Sequence, residues 1–187
     1  GMKPLYIVML SVHGLIRGRD LELGRDADTG GQTLYAVELA RALADLPEVA
    51  RVDLMTRRVV EAQVGPDYAE PVEALGPKAR IVRIDAGPEG YIRKEELWDH
   101  LDSFADNALA FLRAEGFTPD LVHSHYADAG YVGTRLANLL GVPLVHTGHS
   151  LGRVKRRRLI ASGMKRDAIE VRYNMARRVE AEEQTLG

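Results

Sequence analysis

The sequence predicts a doubly wound α/β domain, a parallel sheet with helices on both faces, and three observations carry that expectation. Short apolar runs alternate along the chain with segments whose apolar residues recur every three or four positions. The first strand candidate, Leu5 to Leu10, is a continuous apolar run, as a strand buried on both faces requires. The polar loops 11–32, 85–94, 125–130 and 147–155 all follow strand candidates. They therefore converge on the edge of the sheet where open α/β folds bind ligands.

Leu5 to Leu10, between Pro4 and Ser11 with His13 and Gly14 beyond, reads as a buried central strand. Ala36, Leu39, Ala40 and Leu43 mark one helix face over Thr33 to Leu46, which Pro47 ends. A second strand is expected at Val49 to Met55. Residues 57 to 78 hold three prolines and two glycines without a lasting period and read as a long connection. Ala79 to Ile84 is the third strand, stopped by the turn chemistry of Asp85-Ala86-Gly87-Pro88-Glu89-Gly90.

Leu97, Leu101, Phe104, Ala108 and Leu112 then mark a long helix from near Lys94 to Gly116. Leu121 to His125 is the fourth strand, introduced by Pro119. Val132, Leu136, Leu139 and Leu140 mark a short helix ending at Gly141, before a fifth strand at Val142 to His146. Residues 155 to 186 read as helical and heavily charged, with a break at Ser162-Gly163.

A chain of 187 residues that is 45% hydrophobic buries a proper core and is expected to form one domain, residues 2–187, with Gly1 read as a tag remnant. The net charge of −2 gives no overall attraction to nucleic acid or anionic membrane, and aromatics at 6% offer no stacking platform. Without a long apolar run or a signal-peptide pattern the expected setting is soluble and cytoplasmic, with no membrane partner. The absence of cysteine excludes disulfides and thiolate metal sites.

The candidate chemistry sits in the converging loops. Asp26-Ala27-Asp28-Thr29-Gly30-Gly31-Gln32-Thr33 delivers two glycines to a helix start. There a ligand can approach the backbone and unpaired N–H groups point outward, while the Gln32 amide suits hydroxyl groups. His149 and Ser150, in Thr147-Gly148-His149-Ser150-Leu151-Gly152-Arg153, present an imidazole and a hydroxyl to a polar ligand. This stretch also has the G-x-S-x-G outline of a hydrolase elbow, but no Asp and then His follow it. His123 and His125 share one side of a strand; a metal would need a third ligand that the spacing does not supply, so hydrogen bonding is the expectation. Tyr126 and Asp128 follow, the latter equally readable as a helix N-cap. Lys94, with arginines from the 153–158 run and from the last helix, provides the cations that hold a phosphate.

Five motifs in series resemble sucrose-phosphate synthases. They are Asp28-Thr29-Gly30-Gly31-Gln32-Thr33-Leu34-Tyr35, Lys94-Glu95-Glu96-Leu97-Trp98, His125-Tyr126-Ala127-Asp128-Ala129-Gly130, the 147–153 loop with Lys155, and Arg177-Arg178-Val179-Glu180-Ala181-Glu182-Glu183. The resemblance implies the Rossmann-like N-terminal half of a retaining GT-B glycosyltransferase that moves glucose from UDP-glucose to fructose 6-phosphate. It implies that Gly30, Gly31 and Gln32 meet the fructose unit, with Tyr126 and Ser150 among the acceptor contacts. It places Lys94, Lys155 and the pair Arg177 and Arg178 at the phosphate, with either arginine of the pair as the contact, and His149 beside the transferred glucose as the catalytic residue. It further implies a UDP-glucose-binding C-terminal domain outside these residues and no tightly bound cofactor, with a divalent metal left open. Alternatives are a sucrose synthase type activity on unphosphorylated fructose, which leaves the cations without a phosphate, and a free-standing sugar-phosphate binding module.

Overall fold

A computed structural model describes residues 3–19, 30–150, 153–154 and 158–160. Strand β1 (Leu5–Leu10) is buried at every position and pairs in parallel with β2 (Val49–Arg57) on one side and β5 (Leu121–His125) on the other. Beyond β2 lies β4 (Ala79–Ile84), again parallel, and then β3 (Val72–Ala74), antiparallel at the edge. Beyond β5 lies the parallel β6 (Leu144–Thr147) and then the antiparallel β9 (Arg158–Ile160). The seven-stranded order is thus β3-β4-β2-β1-β5-β6-β9, with a separate ladder of β7 (His149–Ser150) and β8 (Arg153–Val154).

The period of two along each strand sorts the core into two layers. Ile7, Met9, Val52, Leu54 and Ile81 meet α1 (Gly30–Ala44) through Ala36, Val37, Ala40 and Leu43. Val8, Leu10, Met55, Val82 and Ile84 turn to the opposite face, toward α3 (Leu101–Glu115) and α4 (Tyr126–Leu140). Phe104, Ala108 and Leu112 of α3 and Val132 and Leu136 of α4 fill that layer. Helices on both faces of a mostly parallel sheet are the expected doubly wound architecture.

Several boundaries differ from the expectation, each for a local reason. Helix α1 begins at Gly30, so the glycine pair forms its first turn and does not precede it; the last turn closes through Asp45 N–H to Arg41 O and Leu46 N–H to Leu43 O. Strand β2 runs on to Arg57 because Thr56 and Arg57 pair with Arg83 and Ile84. The 57–78 connection contains a 3-10 turn, Pro66–Ala69, that buries Tyr68 and leads into β3, elements too short to show a period. The expected long helix is a short α2 (Lys94–Leu97), a 3-10 turn (Trp98–His100) and α3, which Gly116 ends in the left-handed conformation.

Helix α4 starts six residues before its first marker Val132, directly from the end of β5. Strand β6 starts at Leu144 because the Val142 N–H is taken by Ala137 O at the helix end. Residues 158–160 are strand where a helix was expected, since pairing to β6 outweighs the charged helical pattern, and residues 153–154 of the expected loop pair with β7. The rest of the expected last helix, with its Ser162-Gly163 break, lies outside the described residues. Among the described residues no helix is long and apolar enough to cross a membrane.

Candidate functional site

The strand order reverses at β1. From there the chain winds outward through β2 to β4, then crosses to β5 and β6 on the other side. The crevice between the carboxyl ends of β1 and β5 is the topological switch point, where such sheets bind ligands.

His13, just past β1, and Asp128, in the first turn of α4, close that crevice: Nδ1 of His13 lies 2.6 Å from Oδ2 of Asp128, and both side chains are buried. A carboxylate only accepts, so the hydrogen is on Nδ1 and the Nε2 of a neutral imidazole is left as an acceptor. Asp128 is itself fixed by the Ala129 N–H, 2.8 Å from Oδ1. It is not the N-cap of α4; His125 holds that position.

Gln32, in the first turn of α1, reaches the same place and is 4% exposed. Its Nε2 donates to Ser11 Oγ and to the His13 carbonyl, each at 3.2 Å. Because that carbonyl can only accept, the amide orientation is determined and Oε1 faces away. His13 Nε2 and Gln32 Oε1 are both buried without a hydrogen-bond partner among the described residues. Buried polar atoms are ordinarily satisfied, so this crevice offers two acceptors for an incoming donor.

Tyr126 forms the wall. It is the first residue of α4 and has a φ of 70°, a left-handed conformation that a bulky residue rarely adopts. The kink lets α4 leave β5 at once and sets the phenol ring edge-on to His13, with ring centroids 5.5 Å apart. Beneath, Tyr35 of α1 packs edge-on against His125, whose ring lies 4.4 Å from that of His123. His123 Nε2 bonds Thr147 Oγ1 at 2.9 Å and ties β5 to the end of β6, so the expected hydrogen bonding is seen at His123, while the described contacts of the His125 ring are with Tyr35 and His123. Among the described residues no cluster of three or more His, Cys, Asp or Glu side chains is placed to hold a metal ion.

The described candidates lie in elements that follow the strands at this edge. Gly30 and Gly31 open α1 beside Gln32, and Tyr126 faces His13. Lys94, half-buried, opens α2 after β4, two strands from β1. His149 and Ser150 follow β6 as the short strand β7. Ser150 thus lies in a two-stranded ladder and not at the strand-to-helix turn a hydrolase elbow needs, which removes that reading. Lys155, Arg177 and Arg178 lie outside the described residues.

The sequence pattern of glycosyltransferase family 4 matches residues 29–181. The chain belongs to that family. This family 4 chain is 48% identical over 206 residues to sucrose-phosphate synthase 4 of Arabidopsis thaliana and 46% identical over 210 residues to the sucrose-phosphate synthase of Zea mays. Each alignment covers 98% of this chain and 20% of the relative, so the chain spans about a fifth of the length of these proteins. A solved sucrose-phosphate synthase from Thermosynechococcus elongatus superposes with a TM-score of 0.63 at 31% identity, over 79% of this chain and 34% of that one. A second structure under that name from the same organism gives 0.58 at 27% identity, over 78% of this chain and 64% of that one. The fold is accordingly the Rossmann-like domain of a GT-B glycosyltransferase.

Proposed function

We propose that this chain is the acceptor-binding N-terminal domain of a sucrose-phosphate synthase, an enzyme that transfers glucose from UDP-glucose to fructose 6-phosphate and releases sucrose 6-phosphate and UDP. The pair of unfilled acceptors, His13 Nε2 and Gln32 Oε1, at the switch point of the sheet carries this reading. Sugar hydroxyls are the donors that such a pair accepts from, and the Tyr126 ring supplies an apolar wall for a pyranose or furanose face.

In this reading Gly30 and Gly31 allow close approach to the backbone, and Gln32 and Tyr126 orient the fructose unit. Lys94 together with Lys155, Arg177 and Arg178 neutralises its phosphate, and Ser150 adds a hydroxyl contact. His149 lies toward the transferred glucose. Catalysis rests on orientation: the acceptor hydroxyl is held on the face of the glucose from which UDP departs. UDP-glucose itself, and the charge of the leaving diphosphate, belong to a second, donor-binding domain.

Calorimetric titration of the chain with fructose 6-phosphate, fructose and UDP-glucose tests this. Fructose 6-phosphate is expected to bind, and the phosphate to contribute at least about tenfold in affinity over fructose, or ~1.4 kcal/mol. Equal binding of the two sugars, or preference for UDP-glucose, contradicts the reading.

A further inference from the structure

Arg57 ends β2 at the carboxyl edge of the sheet and is 5% exposed. Its guanidinium donates through Nη1 to Pro88 O at 2.6 Å and Ala86 O at 3.3 Å, and through Nη2 to Gly90 O at 2.6 Å. Among the described residues no carboxylate pairs with it, and burial pulls its pKa below the usual guanidinium range. A buried cation balanced only by carbonyl dipoles is costly to maintain, so its role lies in what those carbonyls hold.

They belong to the loop that leads from β4 to Lys94. Over residues 85–90 five carbonyls are held from outside the loop: Asp85 O by Asn107 Nδ2 at 2.8 Å, Glu89 O by the Val60 N–H at 2.7 Å, and Ala86 O, Pro88 O and Gly90 O by Arg57. On its far side the loop is pressed against His100, where Gly87 has a φ of 68° and a Cβ would come within 2.6 Å of the imidazole. Arg57 and His100 thus clamp residues 86–90, and Lys94 follows four residues later as the first residue of α2.

We propose that Arg57 is a positioning residue for Lys94: its planar fork gathers three carbonyls of the 86–90 loop and so fixes where the lysine ammonium stands at the ligand edge. The proposal rests on the reading of Lys94 as a phosphate partner. A lysine at position 57 would keep the charge, but its point-like head cannot span the carbonyls as the fork does.

The test uses the 187-residue chain with Arg57→Ala, Arg57→Lys, Lys94→Ala and the Arg57→Ala/Lys94→Ala pair. Amide hydrogen exchange is read over residues 85–94, with α4 as internal reference, and fructose 6-phosphate affinity is read by calorimetry. Arg57→Ala is expected to speed exchange over 85–94 roughly a hundredfold while leaving α4 unchanged, and to weaken binding roughly tenfold. Arg57→Lys falls between, and also supplies the exchange result should Arg57→Ala fail to fold. Added to Lys94→Ala, the Arg57 change costs no further affinity.

Unchanged exchange over 85–94, an equal rise in α4, or full additivity of the two affinity losses overturns the proposal. If Lys94→Ala leaves affinity intact, or the chain binds no fructose 6-phosphate, the phosphate reading of Lys94 falls in this chain, and the exchange comparison alone decides on Arg57.

Discussion

His13 and Asp128 stand 115 positions apart in sequence and 2.6 Å apart in the fold, and the acceptor crevice depends on that pair. Asp128→Asn replaces the carboxylate with an amide that no longer selects the Nδ1–H tautomer. Fructose 6-phosphate affinity is expected to fall roughly tenfold while the melting temperature changes little, a split read by calorimetry beside thermal unfolding. Tyr126 offers a second separation of stability from function. Tyr126→Gly relieves a positive φ worth about 1 kcal/mol of strain and removes the wall beside His13, so stability to denaturant is retained or raised as binding weakens. A parallel loss of stability and binding contradicts this account. Gln32 was legible from its place after two glycines. His13 was not, because nothing in the local pattern says that the strand before it neighbours the strand before Asp128.

At the scale of elements, α4 lies against the sheet by virtue of its small residues. A Cβ on Gly130 would come within 2.7 Å of the His146 ring, which is held by Ser124 Oγ at 2.8 Å, and one on Gly133 within 3.1 Å of Ser124 Cβ. Gly133→Ala is therefore expected to destabilise the fold by about 1–3 kcal/mol in urea unfolding, despite the gain in helix propensity. At the opposite end of the sheet, buried Asp53 of β2 accepts from Arg80 Nε at 2.7 Å and from the Tyr6 hydroxyl. Burial, and then the Asp53 charge, raise the Tyr6 phenol well above its ordinary value of 10.0. A phenol raised in the folded state contributes stability that is whole below pH 10 and is lost as pH climbs through the folded value. Stability is thus expected to decline above pH 10 in the native chain, and Tyr6→Phe to flatten that part of the profile.

The central strands were legible because β1 is a continuous apolar run and because β4 and β5 carry short apolar stretches, Ile81-Val82 and Leu121-Val122, with turn residues nearby, and their limits were read closely. Elements that failed to show were those held by distant partners. Strand β3 exists by pairing with β4, and its neighbourhood is fastened by Arg83, whose guanidinium reaches Ile16 O and Glu73 Oε1. A three-residue strand of that kind carries no period of its own.

The whole molecule is a sheet whose two ends do different work. The amino end is locked by the Tyr6, Asp53, Arg80 and Glu115 network, while the carboxyl end gathers Gln32, His13, Tyr126 and Lys94 from three strands' worth of loops. Fold class followed from the alternation of runs alone, whereas the proposed ligand rests on motifs in series and on likeness to relatives over nearly the whole chain. The measurement that tests the account most directly is amide chemical-shift mapping of the chain during titration with fructose 6-phosphate. The account predicts that perturbations cluster at residues 11–13, 30–32, 94 and 126–128, shrink when fructose replaces the phosphate ester, and spare Tyr6, Asp53 and Arg80. Perturbations centred on the amino end of the sheet, or on the β3 edge with the 11–13 and 126–128 amides silent, would contradict it.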